Sequence, residues 1–157
     1  MAKIQMELPD DNPSADEIRE ILTRCKTLAI VGLSPKKERD SHKVATYLIE
    51  QGYEIVPVNP GRKKILGRPC FKTLKDIPFR IDMADIFLNP TRVPPVVDQA
   101  IEMGVSVLWM QLGIVHYEAA QKAREAGITV VMNKCTKLEH LKLRPKKDTP
   151  PGPFQKA

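Results

Sequence analysis

Thr27-Leu28-Ala29-Ile30-Val31-Gly32-Leu33-Ser34 is a short apolar run that ends in glycine and serine. A polar loop follows, Ser34 to Asp40, and then a helical pattern runs to about Gln51, with Asp40 or Ser41 as its expected cap. This order reads as a buried strand that delivers the backbone to a phosphate-sized group at a helix N-terminus. The rest of the chain repeats the same strand–helix unit.

Upstream, Pro13 to Lys26 reads as a helix. Ser14 is its cap, and Glu17 sits three residues later, at the capping-box spacing. Ile18, Ile21, Leu22 and Cys25 recur at helical intervals and predict one buried face. Downstream, Val44, Ala45 and Leu48 face inward, and Gly52 ends that helix. Tyr53 to Val58 is the second strand, stopped by Asn59-Pro60-Gly61. Ile65 to Cys70 reads as irregular or as a short edge strand, and Leu74 and Ile77 flank a brief helical turn. Met83 to Leu88 is the third strand, and Val93 to Met103 a helix that buries Val96, Val97, Ala100 and Ile101. Val105 to Met110 is the fourth strand. A helix from His116 or Tyr117 stops at Gly127, and Ile128 to Met132 is the fifth strand. A short helix from Thr136 to Leu143 closes the pattern, with Thr136 as its expected cap and Glu139 in the capping-box position.

Alternating strands and helices pair in parallel through right-handed crossovers. The expected fold is therefore α/β: a Rossmann-like, doubly wound, mainly parallel five-stranded sheet with helices on both faces. It should occupy residues 13–143, between an N-terminal extension (1–12) and a disordered, basic, Pro-rich tail (144–157). Ligands of such sheets bind beyond the carboxyl ends of the strands. Polar or turn residues follow each strand here: Gly32-Leu33-Ser34, Asn59-Pro60, Asn89-Pro90, Gln111-Leu112-Gly113 and Asn133-Lys134-Cys135.

The 157 residues suit one domain with one well-buried core. No apolar run is long enough to span a bilayer, and Met1 to Asp10 lacks the layout of a signal peptide, so the expected location is the cytoplasm. Cys25, Cys70 and Cys135 are far apart and form no CxxC pair, which argues against a zinc site and for free thiols. The net charge is +6, but residues from Thr136 onward carry +4 of it. A nucleic-acid partner is disfavoured because the body of the chain has almost no excess charge.

The usual dinucleotide fingerprint, G-x-G-x-x-G with a later acid, is missing. Only Gly32-x-Ser34 is present, and Asn59 stands where an acid would bond ribose hydroxyls. Instead Lys36, Lys37, Arg39 and Lys43 surround the first loop, and Arg62, Lys63 and Lys64 follow the second strand. Such cations suit a diphosphate plus a ribose phosphate, as in coenzyme A or NADP. The bland alternative is solvated surface charge.

Val31-Gly32-Leu33-Ser34, Val56-Pro57-Val58-Asn59-Pro60, Ile65-Leu66-Gly67, Ala84-Asp85-Ile86-Phe87, Trp109-Met110-Gln111-Leu112-Gly113 and Asn133-Lys134-Cys135 occur in that order. Together they resemble the small single-domain CoA-binding proteins, relatives of the CoA-binding domain of succinyl-CoA synthetase. The resemblance covers about Cys25 to Leu143. It implies a Rossmann-like fold that binds CoA or an acyl-CoA. By it, Gly32, Leu33 and Ser34 lie against the diphosphate, and Lys36, Arg39 and Lys43 neutralise phosphate charge. Val58, Asn59 and Pro60 border the adenosine. Leu88, Asn89 and Pro90 line the cleft, and Gln111 and Gly113 face the pantetheine side. Apart from the resemblance, the place of His42 at the helix start makes it a ligand contact or a capping or surface residue. Lys63, from the basic cluster after the second strand, is the candidate for the ribose phosphate on charge alone. Relatives often carry Arg where Leu88 stands, so a charge contact is lost or moved here. Cys135 is a candidate for a mixed disulfide with the CoA thiol; a buried, inert thiol is the alternative.

The expected function is CoA binding by a carrier, sensor or regulatory module without its own catalysis, with a protein partner possible and no metal. The rivals are a small NADP-dependent oxidoreductase and a nucleic-acid binder using the basic tail. Trp109 is expected in the core, and His116 and His140 at the surface. A Cβ at Gly32 is expected to block the ligand and leave the fold intact.

Overall fold

The computed structural model describes residues 12–143. The expected extension, save Asn12, and the expected tail lie outside the described residues. Helix α1 (Ala15–Arg24) opens the domain. Ser14 caps it as the spacing predicts: its hydroxyl accepts from the Glu17 N–H at 3.2 Å, and the Glu17 carboxylate accepts from the Ser14 N–H at 2.7 Å. Strand β1 (Thr27–Val31) leads into α2 (Asp40–Glu50) and β2 (Glu54–Val58). Two short strands, β3 (Lys64–Ile65) and β4 (Arg68–Pro69), pair as an antiparallel hairpin. Then come β5 (Met83–Ile86), α3 (Val93–Met103), β6 (Val107–Met110), α4 (Tyr117–Glu125), β7 (Thr129–Val131) and α5 (Thr136–Leu143).

The main sheet has the order β2-β1-β5-β6-β7, and all four pairings are parallel. Each central strand is buried on both faces, which is why the sequence shows continuous apolar runs rather than alternation. One core, on the face covered by α3 and α4, holds Ala29, Val31, Val56, Ala84, Ile86, Leu108 and Val130. The other, under α1 and α2, holds Leu28, Ile30, Ile55, Met83, Val107 and Trp109. Trp109 is fully buried, and its indole N–H donates to the Lys134 carbonyl at 2.8 Å. At the amino edge the Asp82 carboxylate accepts from the N–H groups of Lys26 and Thr27, which ties the start of β1 to that of β5.

Several expectations change at the element ends. The strands are shorter than the apolar runs, because flanking residues such as Val105 and Ile128 are buried without joining the ladder. The cap of α2 is Arg39, not Asp40 or Ser41. Both predicted caps lie in the first turn, where Ser41 is buried and serves the preceding loop. Thr136 is the first residue of α5 rather than its cap. The Cys135 carbonyl takes the first helical bond, from Glu139, and the Thr136 hydroxyl turns into the core. His116 is not a bare surface residue, since its Nδ1 accepts from the Ala119 N–H and caps α4. His140 is half-buried, and its Nδ1 lies 2.7 Å from the Tyr47 hydroxyl.

Candidate functional site

Two neighbouring strands lead into connections on opposite sides of the sheet: β1 into α2, and β5 into α3. The crevice at such a switch point is where doubly wound sheets take ligands. Here it opens between Gly32, after β1, and Phe87-Leu88, after β5. The Gly32 N–H donates to the Val58 carbonyl at 2.9 Å, and the Phe87 N–H to the Val31 carbonyl at 2.8 Å. Gly32 holds φ +89°, and a Cβ there would run into the Phe87 carbonyl oxygen and lie 2.9 Å from the Leu88 Cδ2. The expectation that a side chain at Gly32 leaves the fold intact is therefore corrected: the glycine lets two strands pass closely.

The loop after Gly32 is held by its own serines. The Ser34 N–H donates to the Ser41 hydroxyl at 2.9 Å, and the Lys36 N–H to the Ser34 hydroxyl at 3.1 Å. Both hydroxyls accept, which leaves each a proton to donate. Two of the loop amides expected to face a diphosphate, those of Gly32 and Ser34, thus already have partners. The donors left at the α2 N-terminus among the described residues are the serine hydroxyls and the Asp40 and Ser41 N–H groups, since the His42 N–H already donates to the Arg39 carbonyl.

Two cavities flank this loop and share one wall, Phe87-Leu88. The first, about 670 Å³, is lined by Gly32, Val58, Asn59, Pro60, Leu88, Lys72, Thr73, Thr91 and Arg92, among others. Asn59 shapes it: its side-chain N–H donates to the Leu33 carbonyl at 2.9 Å, and its Oδ1 accepts from the Gly61 N–H at 2.8 Å. The second, about 470 Å³, is mostly apolar. Val44, Phe87, Leu88, Leu112, Ile114 and Leu138 line it with Gln111, Cys135, Asp40, Lys43 and Lys137. Leu112 and Leu138 are 59% and 48% exposed, so much of its rim is uncovered hydrocarbon.

Of the expected site residues, Gly32, Val58, Asn59, Pro60 and Leu88 meet at the first cavity, and Lys43, Leu88 and Gln111 at the second. Leu33, Ser34, Lys36, Arg39 and His42 form the loop and helix start outside both linings. Lys63 sits at the hairpin, where its carbonyl accepts from Cys70. Asn89 caps the turn Pro90–Arg92 by accepting from the Thr91 N–H at 3.0 Å. The Gly113 N–H donates to the Asn133 Oδ1 at 2.7 Å.

Lys72, Thr73, Thr91 and Arg92 were missed in the sequence. Phe71 bridges in parallel to Val58, which swings Lys72 and Thr73 back to the end of β2. A single bridge leaves no periodic signal. Arg92 had a signal in the turn that Asn89-Pro90 announces.

Beneath the apolar cavity lies a buried polar trio. The Gln111 Nε2 donates to the Asp85 Oδ1 at 2.6 Å and to the Thr136 Oγ1 at 2.9 Å, and the Thr136 hydroxyl donates to the Asp85 Oδ2 at 3.1 Å. Asp85 is fully buried in the middle of the sheet. Burial pushes its carboxyl up to about 7, against the pull of the hydrogen bonds from Gln111 and Thr136. Asp85 appeared in the sequence only as part of a strand, because a lone acid in an apolar run carries no periodic signal. Cys135 lines the apolar cavity and is half-buried, whereas Cys25 is buried, and desolvation lifts its thiol to about 11.

The parallel sheet and the clefts at its switch point define a Rossmann-like α/β domain. The chain belongs to the CoA binding domain family, whose model matches residues 26–141. It is 42% identical over 129 residues to the uncharacterized protein YneT of Bacillus subtilis, across 82% of this chain and 96% of that protein. It is 36% identical over 95 residues to the alpha subunit of ADP-forming acetate–CoA ligase I of Pyrococcus furiosus. That match spans 57% of this chain but 21% of the ligase subunit. Among solved structures, a hypothetical protein of Pyrococcus horikoshii superposes with a TM-score of 0.83 at 43% identity, covering 91% of this chain and 99% of that one. The family resemblance read from the motifs thus holds, and the homology reaches the CoA-binding part of an acetate–CoA ligase. No helix among the described residues is long and apolar enough to cross a membrane.

Proposed function

We propose that the domain binds coenzyme A or an acyl-CoA across the carboxyl edge of its sheet. One observation carries the reading: two cavities share the wall Phe87-Leu88, one of them lined by Gly32 with the cations Lys72 and Arg92, the other more strongly apolar. Lys72 and Arg92 rim one, which suits the phosphorylated adenosine. Hydrocarbon dominates the other, which suits the pantetheine arm and an acyl group. The diphosphate then crosses beside Gly32, within reach of the Ser34 and Ser41 hydroxyls and the α2 N-terminus. Arg92, four residues past Leu88, supplies a cation to the wall that Leu88 leaves apolar. Lys43 stands in the wall of the apolar cavity, and Lys36, Arg39 and Lys63 add long-range charge or close over the ligand, with His42 at the helix start beside them.

The role is that of a carrier, sensor or regulatory module without chemistry of its own. The segment shared with the Pyrococcus furiosus ligase subunit is 21% of that subunit, which supports reading the segment as a binding unit. Calorimetry with CoA, NADP and a short RNA tests the reading. CoA is expected to bind and the other two to give no heat. At a hundredfold excess over its Kd, CoA then stabilises the fold by about 2.7 kcal/mol in thermal melts. No binding of CoA overturns the proposal. Acetyl-CoA formed from acetate, ATP and CoA by the pure protein overturns its non-catalytic half.

A further inference from the structure

Gln111 is the polar residue at the floor of the apolar cavity, and it is 3% exposed. Its amide is spent on one side only. Nε2 donates to Asp85 and to Thr136, and Thr136 donates onward to the other oxygen of Asp85. Above the value of about 7 to which burial lifts it, the Asp85 carboxylate accepts and cannot donate, so there the cycle has a single sense, and the amide cannot turn over without breaking two bonds. Its Oε1 receives no donor among the described residues. A buried acceptor left unpaired is costly, and the cost is recovered when a ligand supplies the donor. An apolar trio of the same volume would fill the sheet with no charge to desolvate. The arrangement therefore serves something beyond packing.

We propose that Asp85 and Thr136 are positioning residues that hold the Gln111 Oε1 as the acceptor for an amide N–H of the ligand's pantetheine arm. The inference rests on the CoA reading above. The arm contains two secondary amides, each with one N–H to give. Adenosine 3′,5′-diphosphate lacks the arm, so it is blind to this contact.

The test is calorimetry at about pH 8, where the Asp85 carboxylate is ionised, with CoA and adenosine 3′,5′-diphosphate as the two probes. Gln111→Met should weaken CoA by about tenfold, the worth of one hydrogen bond, and leave adenosine 3′,5′-diphosphate unchanged. Thr136→Val keeps the volume and removes the hydroxyl, so it too should weaken CoA alone. Thr136→Ser keeps the hydroxyl and should restore the wild-type value. CoA affinity unchanged in both Gln111→Met and Thr136→Val overturns the inference. So does an equal loss for both probes, which marks a merely structural trio. If Gln111→Met does not fold, the Thr136 pair decides alone. Wild-type protein that binds neither probe removes the CoA reading itself, a result distinct from every variant outcome.

Discussion

Gly32 is constrained twice, by a left-handed backbone and by the Phe87 carbonyl standing where a Cβ would need room. Gly32→Ala should cost about 1–3 kcal/mol from backbone strain alone, with the collision added. Urea unfolding measures it. A change under half a kcal/mol would mean that the strands separate easily. Asp85 makes a pH prediction. Its unfolded carboxyl titrates at roughly 4, whereas burial holds the folded one at about 7. Between these values the folded chain keeps a proton that the unfolded chain has lost. Stability therefore falls as pH rises through that window, and the cost of the buried charge is fully present above it. Asp85→Asn cannot titrate, so its melting temperature should vary less between those limits. Parallel pH profiles for the two proteins would refute the assignment.

At the scale of elements, the capping box of α1 was readable residue by residue, because Ser14 and Glu17 need only local spacing. Ser14→Ala should lower stability by about 1 kcal/mol, read as a lower urea midpoint with an unchanged slope. The helix Val93–Met103 was equally plain, since its ends carry proline and Gly104. Thr136 misled because its capping-box signature is genuine sequence grammar, but a buried carboxylate across the sheet claims the hydroxyl first. Asp40 and Ser41 misled likewise: Ser41 is recruited by the Ser34 N–H. Local rules fix where helices lie, and tertiary partners decide what the end residues bond.

Over the whole molecule, the alternation of elements predicted a parallel sheet, but nothing in one strand's sequence said that β1 would lie between β2 and β5. That order brings Arg92 and Lys72 to the cavity beside Asn59, whereas proximity in sequence had favoured Lys63. Under the CoA reading, the exposed cations give a graded electrostatic term. CoA should bind severalfold more tightly than dephospho-CoA at low salt, with at most about 1 kcal/mol from each exposed pair. The gap should narrow as salt shortens the screening length. Equal affinities at low salt would show that no cation reads the ribose phosphate.

The trio of Asp85, Gln111 and Thr136 also bears on how the chain reaches its native state. Thr136 lies fifty-one residues from Asp85, and the helix it opens packs against α1 and α2 at the other end of the domain. The Asn12 amide spans further still, exchanging two bonds with the Met132 backbone. Contacts of such long range carry the greatest loop-closure cost and form late. The clasp of α5 over the first half is then the last step in and the first one out. Substitutions there should quicken unfolding more than they slow refolding, and the apolar cavity, roofed by that helix, takes shape only when the chain has closed on itself.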